Sequence, residues 1–135
     1  MRNYLLVALG GALGSVARYW VSGFVAGQAA DRGSVFPYGT LIANVTGSFV
    51  IGLFATLTAS DARWMASSEL RTFFMVGICG GYTTFSSFSL QTLNLVQDGD
   101  WGRAGVNVMS SVALCLLAVW LGHVLAASLN SYKGH

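Results

Sequence analysis

Few side chains in this 135-residue chain could act on a solute, and those few share a sign. Arg18 is a fixed cation about fifteen residues into an apolar stretch, a position where insertion scales charge at least ~2.5 kcal/mol. Its helical face also carries Gly11, Gly14, Ser15 and Ser22. Asn44 has an amide that can donate two hydrogen bonds. It stands in the row Thr40, Asn44, Ser48, Gly52, spaced by four and so on one helix face. Asn107 and Ser111, again four apart and with Ser110 alongside, repeat the arrangement. Phe85 and Phe88 share a face if the chain is helical after Thr84, and a phenyl edge carries the positive part of the ring quadrupole. All of these groups present positive charge or a donor. Each also has a plainer use. Arg18 can snorkel to the membrane surface, the polar rows can be interhelical hydrogen bonding, and phenyl rings usually fill cores.

These residues need helices to carry them, and the composition says where the helices lie. The chain is 54% hydrophobic and 9% charged, against about 25% charged for an ordinary soluble domain. Mean hydropathy is +0.61. A membrane protein follows, as one domain over residues 1–135. A helix needs about 20 apolar residues to cross the hydrocarbon. Four spans fit, at 4–27, 38–59, 70–97 and 103–129. The connections hold the only proline, Pro37 (residues 31–37), the charges Asp61, Arg63 and Glu69 (60–69), and the acids Asp98 and Asp100 (98–102). Trp64 and Trp101 suit the aromatic belt at the membrane surface. Arg18 and the length of the first apolar run argue for a retained helix over a cleaved leader.

The third span is interrupted. Gly80-Gly81-Tyr82-Thr83-Thr84-Phe85-Ser86-Ser87-Phe88-Ser89 puts two glycines and a run of hydroxyls into an uncharged stretch. Adjacent glycines weaken a helix and hydroxyl side chains compete for its backbone bonds. In hydrocarbon a broken backbone survives only where protein buries it or a watery path runs beside it. The sequence predicts a helix broken at Gly80–Thr83 that resumes by Phe85. Small-xxx-small pairs, Gly10 with Gly14 and Gly23 with Gly27, predict close helix packing. Four spans enclose little volume, so oligomerisation is expected.

Charge excludes several functions. Net charge is +2, too small to point to nucleic acid. All five acids, Asp31, Asp61, Glu69, Asp98 and Asp100, fall in connections or at span ends, which disfavours a proton-coupled exporter needing an intramembrane carboxylate. Two histidines make no metal cluster, and Cys79 and Cys115 look like packed hydrophobes. No nucleophile–base pair or phosphate loop suggests an enzyme. Arg2, Arg63, Arg71 and Lys133 on one side face Arg32 and Arg103 on the other, a mild bias that leaves orientation weakly specified and slightly favours a cytoplasmic N-terminus. From the residues alone, the chain handles an anion in a membrane.

The stretch Gly80–Ser89 closely resembles the GG-x-[ST]TFS-[ST]-FS signature of the Fluc (CrcB-type) fluoride channel family. Gly39-Thr40-Leu41 followed by Asn44, and Arg18 after a glycine-rich first span, agree with it. The resemblance implies an antiparallel, dual-topology homodimer in the bacterial cytoplasmic (inner) membrane. Two pores between the subunits would let fluoride leave the cytoplasm passively and so relieve its toxicity. It implies that Phe85 and Phe88 line the fluoride path with their ring edges and that Asn44 donates to the ion. Arg18 would stand in the vestibule. The backbone carbonyls of Gly80 and Thr83, from both subunits, would hold a central structural sodium ion. Asn107 and Ser111 would fall on the polar track of the fourth span, where serine at both positions, or a histidine at the first, is the family's usual pattern. Gln91 stands where a carboxylate often follows the second phenylalanine.

Overall fold

The computed structural model describes residues 1–62 and 64–132; Arg63 and Lys133, two of the charges counted for orientation, and His135 lie outside them. The described residues are helical with short connections and no strand. Helix α1 (Arg2–Asp31) ends in a turn through Gly33, whose φ of 74° suits glycine. Helix α2 (Tyr38–Leu57) starts directly after Pro37. Ser67 opens the third span by accepting the Leu70 N–H at 3.2 Å. That span begins as α3 (residues 68–82), a regular turn at Ser68–Arg71, a wider π-helical run at Thr72–Cys79 and a helical turn at Gly80–Tyr82. Helix α4 (Phe85–Gln97) follows and closes through Gly99, φ 78°. Helix α5 (Trp101–Ser131) is capped by Asp100, whose side chain accepts the Arg103 N–H at 3.1 Å. Four segments are long and apolar enough to cross a membrane: Arg2–Asp31, Tyr38–Leu57, Ser68–Gln97 and Trp101–Ser131. They match the four expected spans, each end within four residues.

Glycine decides which helices meet. A methyl at Gly10 or Gly14 would run into the α3 backbone, at Phe73 and Gly77 for the first and Ile78 and Tyr82 for the second. Gly81 answers from α3, its missing Cβ facing the backbone of Gly11. Gly52 and Gly122 do the same for α2 and α5, each against a carbonyl of the other helix, Val119 and Phe49. Without a hydrophobic drive between helices in lipid, such close approach and the dispersion it allows hold the spans together. The second expected pair behaves differently: nothing lies within 4 Å of a methyl built on Gly23 or Gly27, so these two pack no helix of the same chain.

Polar side chains finish the frame. Arg71 Nη1 donates to the Ala55 carbonyl at 3.1 Å and to Thr58 Oγ1 at 2.6 Å, setting a cation on the C-terminus of α2. Thr56 pairs with His123 Nδ1 at 2.9 Å, and its carbonyl accepts from Asn130 Nδ2 at 3.1 Å. These bonds tie the far end of α5 to α2.

Candidate functional site

The site grows from two residues. Thr83 (φ −87°, ψ 157°) and Thr84 (φ −152°, ψ 113°) are extended between Gly80–Tyr82 and α4. The helical geometry of Gly80 to Tyr82 differs from the expectation that the backbone departs at Gly80. Of the two glycines Gly81 supplies closeness to α1, and the departure falls on two β-branched threonines, which fit extended backbone well. Thr84 also starts the next helix: its hydroxyl accepts the Ser87 N–H at 3.2 Å and takes part in bonds to the Ser87 and Ser86 hydroxyls at 3.1 and 3.3 Å.

An extended residue in a helix leaves backbone groups to be satisfied. Asn44 does this from α2. Its Nδ2 donates to the Thr84 carbonyl at 3.0 Å, and the Thr84 N–H donates to its Oδ1 at 2.7 Å. The pairing fixes the amide's orientation, since a flipped amide would set donor on donor and oxygen on oxygen. One Nδ2 hydrogen remains unused by Thr84. Ser48, one turn along, donates to the Asn44 carbonyl at 2.7 Å. Arg18 serves the neighbouring group: its Nε donates to the Gly81 carbonyl at 3.2 Å, with Ser15 Oγ at 3.5 Å. The face Gly14, Ser15, Arg18 thus lies on α3.

The same bonds free two other carbonyls. In a continuous α-helix Gly80 would accept from the N–H of Thr84, and Thr83 from that of Ser87. The first N–H is held by Asn44 and the second by the Thr84 hydroxyl. The Gly80 and Thr83 carbonyls are therefore without their helical donors, and backbone oxygens of this kind suit a hard cation. Thr83 is otherwise tied down, its N–H and hydroxyl both donating to the Cys79 carbonyl at 3.0 Å. Gly47 of α2 leaves space for it: a Cβ there would meet the Thr83 methyl and the Tyr82 ring.

Around this point lie two cavities that share Thr84. The first, about 440 Å³, is lined by Asn44 and Ser48 of α2, Thr83, Phe85 and Phe88 of the third span, and Ser111 of α5, among others. Its apolar walls include Ile51, Val112 and Leu116. The second, about 290 Å³, holds Arg18, Ser22, Thr40, Ser87 and Gln91. No acid lines either. Gln91 Oε1 is buried there without a hydrogen-bond partner.

Phe85 and Phe88 lie side by side, ring centroids 5.3 Å apart and planes tilted by 52°. Their surroundings differ: Phe88 is 9% exposed and Phe85 78%. Asn107 stands apart from Ser111. Ser111 lines the first cavity, whereas Asn107, 2% exposed, lines neither cavity and donates from Nδ2 to Thr92 Oγ1 at 2.9 Å. Thr92 in turn donates to the Phe88 carbonyl at 2.8 Å. The first cavity thus gathers Asn44, Phe85, Phe88, Ser111, Gly80 and Thr83, with Arg18 next door and Asn107 behind Phe88.

Residues 5–123 match the family described as CrcB-like protein, Camphor Resistance (CrcB). The chain belongs to the CrcB-like family. Among its relatives, a protein of Opitutus terrae is 61% identical over 134 residues, 99% of each chain. One of Paramagnetospirillum magneticum is 64% identical over 130 residues, 96% of this chain and 99% of its own. A third, of Rhodospirillum rubrum, is 59% identical over 128 residues, 95% and 97%. All three carry the name fluoride-specific ion channel FluC, that of an ion channel and not an enzyme. Sequence reasoning left out Thr92 and read Cys79 and Cys115 as packed hydrophobes, whereas both cysteines also line the first cavity of this CrcB-like chain. The spacing Ser111–Cys115 on one face could have indicated the latter.

Proposed function

We propose that this chain is the subunit of a fluoride-selective passive channel of the cytoplasmic (inner) membrane that exports fluoride and relieves its toxicity. The observation that carries the reading is a cavity beside an extended backbone, lined by donors and two phenylalanines and by no carboxylate. Fluoride is small and strongly hydrated, so its passage needs donors that replace water. The free Nδ2 hydrogen of Asn44 and the hydroxyl of Ser111 are such donors, and phenyl edges at Phe85 and Phe88 would favour an anion over a cation. Arg18, in the adjoining cavity, raises the local anion concentration. The names of the relatives support the choice of ion.

In the same reading the working unit is an antiparallel homodimer with two pores, inserted in both orientations. Phe85, 78% exposed beside the cavity, supports it: a ring on an ion path needs a second wall, which a partner supplies. The freed Gly80 and Thr83 carbonyls are the groups that would hold a structural sodium ion between two chains, contributing a hard-oxygen site and stiffness.

Reconstituted vesicles test the function. Fluoride efflux is expected to be electrogenic, to exclude chloride and to need no proton gradient. Efflux that stops when the proton gradient is collapsed would assign the chain to coupled exporters, and no flux at all would leave it an assembly factor whose polar rows are packing.

A further inference from the structure

The two thiols of the first cavity have no part in this reading. Cys79, on α3, is 3% exposed, and Cys115, on α5, is half-buried; both are free and both line the cavity that holds Phe85, Phe88 and Ser111. Cys115 shares its helix face with Ser111, one turn away, so the cavity wall of α5 carries a hydroxyl and then a thiol. We propose that Cys79 and Cys115 make this cavity a capture site for soft, thiophilic cations such as mercury(II), silver(I) or copper(I), and that capture closes the ion path.

The chemistry of the lining selects the class. Sulfur ligands prefer soft metals, whereas hard cations prefer oxygen. The oxygen groups of the cavity suit hard ions and Ile51, Val112 and Leu116 add apolar wall, so the two sulfurs are what a soft cation finds there. A metal–thiolate bond neutralises the sulfur's charge as it forms. With mercury(II) the S–H bond of one cysteine breaks, a S–Hg bond forms and the proton leaves to water. The second thiol repeats the step at the second valence of the metal, and nothing is oxidised or reduced. Fluoride is a hard anion and a poor ligand for mercury, so the ion assigned to the path does not displace the blocker. The closing of the path rests on the fluoride-channel reading; the capture of metal does not.

Two arms separate these. In detergent micelles the full chain is titrated with mercury(II) in chloride-free buffer, following sulfur-to-mercury charge-transfer absorption and released protons. The wild type is expected to bind with both signals. Cys115→Ala is expected to lose at least roughly tenfold in affinity, the loss that even outer-shell partners of a metal site produce, and Cys79→Ala,Cys115→Ala to lose the absorption entirely. Absent absorption in the wild type, or unchanged binding by the double variant, overturns the site. Cys115 is half-buried and its variant decides the question even if Cys79→Ala fails to fold. In vesicles, mercury(II) is expected to stop wild-type fluoride efflux, dithiothreitol to restore it, and the double variant's efflux to ignore the metal. Efflux that continues with mercury bound overturns the closing of the path. A wild type that binds mercury yet never conducted fluoride upholds the capture site and faults the channel reading alone.

Discussion

Replacing Asn44 by leucine keeps the side chain's size and removes its polar groups. The Thr84 N–H and carbonyl then lose the partners now at 2.7 and 3.0 Å. An unpaired buried backbone group costs about 1–3 kcal/mol, so two set a ceiling of about 2–6 kcal/mol. Both bonds are only part-buried, and water entering from the cavities relieves some of this. We therefore expect the low end, about 2 kcal/mol, which multiplies the unfolded or locally opened fraction about 30-fold. Asn44→Asp keeps the acceptor for the Thr84 N–H but turns an oxygen toward the Thr84 carbonyl and puts a negative charge on the cavity wall. It should be less destabilised than Asn44→Leu and still conduct fluoride poorly. Thermal unfolding in detergent, followed by size-exclusion chromatography, reads the first effect, and fluoride efflux from vesicles reads the second. If Asn44→Leu unfolds together with the wild type, the amide does not hold Thr84, and the account of the extended backbone fails with it.

Three more expectations follow from the same geometry. Phe85→Ile and Phe88→Ile should both slow fluoride efflux sharply, but only Phe88→Ile, at the buried ring, should also lower the unfolding temperature, by the equivalent of roughly 1 kcal/mol; wild-type efflux in both would remove the rings from the path. Exchanging sodium for a large organic cation should weaken the dimer or silence it, checked by sedimentation and by efflux, and insensitivity of both would take that role from the Gly80 and Thr83 carbonyls. Asn107→Leu and Thr92→Val should each cost roughly 1 kcal/mol in stability while the pair in combination costs little more than either; additive losses would show that the two side chains do not share one bond.

Much of this was legible in the residue order, and its limits are instructive. Span positions followed from hydropathy because the hydrocarbon sets a length that few other constraints disturb. The third span was marked as irregular by Gly80-Gly81 and the hydroxyls after them. Its geometry differs because the two cues do separate work: Gly81 serves contact with α1, while Thr84 caps α4. The wide turn at Thr72–Cys79 has no proline to announce it and no polar residue beyond Thr72 at its start, and it lies against the α1 backbone. The row Thr40, Asn44, Ser48, Gly52 was one face in sequence but has several roles in space, because different helices meet α2 along its length. Gly52 receives the Val119 carbonyl, Asn44 holds Thr84 and Ser48 faces the cavity. No spacing rule distinguishes a glycine that meets a carbonyl, such as Gly14, from one that meets nothing, such as Gly23.

The glycine contacts also constrain how the chain can be made. Gly39 of α2 meets the Ser22 backbone of α1, but the other close backbone contacts join α1 to the third span and α2 to the fourth, and neither of these pairs is consecutive. A ribosome-bound chain that has inserted its first two spans can have formed only the contact at Gly39. Gly10 and Gly14 wait for residues 73–82, and Gly52 waits for residue 119. During that interval α1 and α2 lie in the bilayer with the polar groups of Arg18 and Asn44 unsatisfied by the backbone they later serve. The third span closes both accounts at once, by giving Gly81 to Arg18 and Thr84 to Asn44. Most of the tight packing in this protein is therefore an event of late biogenesis, and a chain arrested before residue 84 should remain open to quality-control proteases that the finished bundle resists.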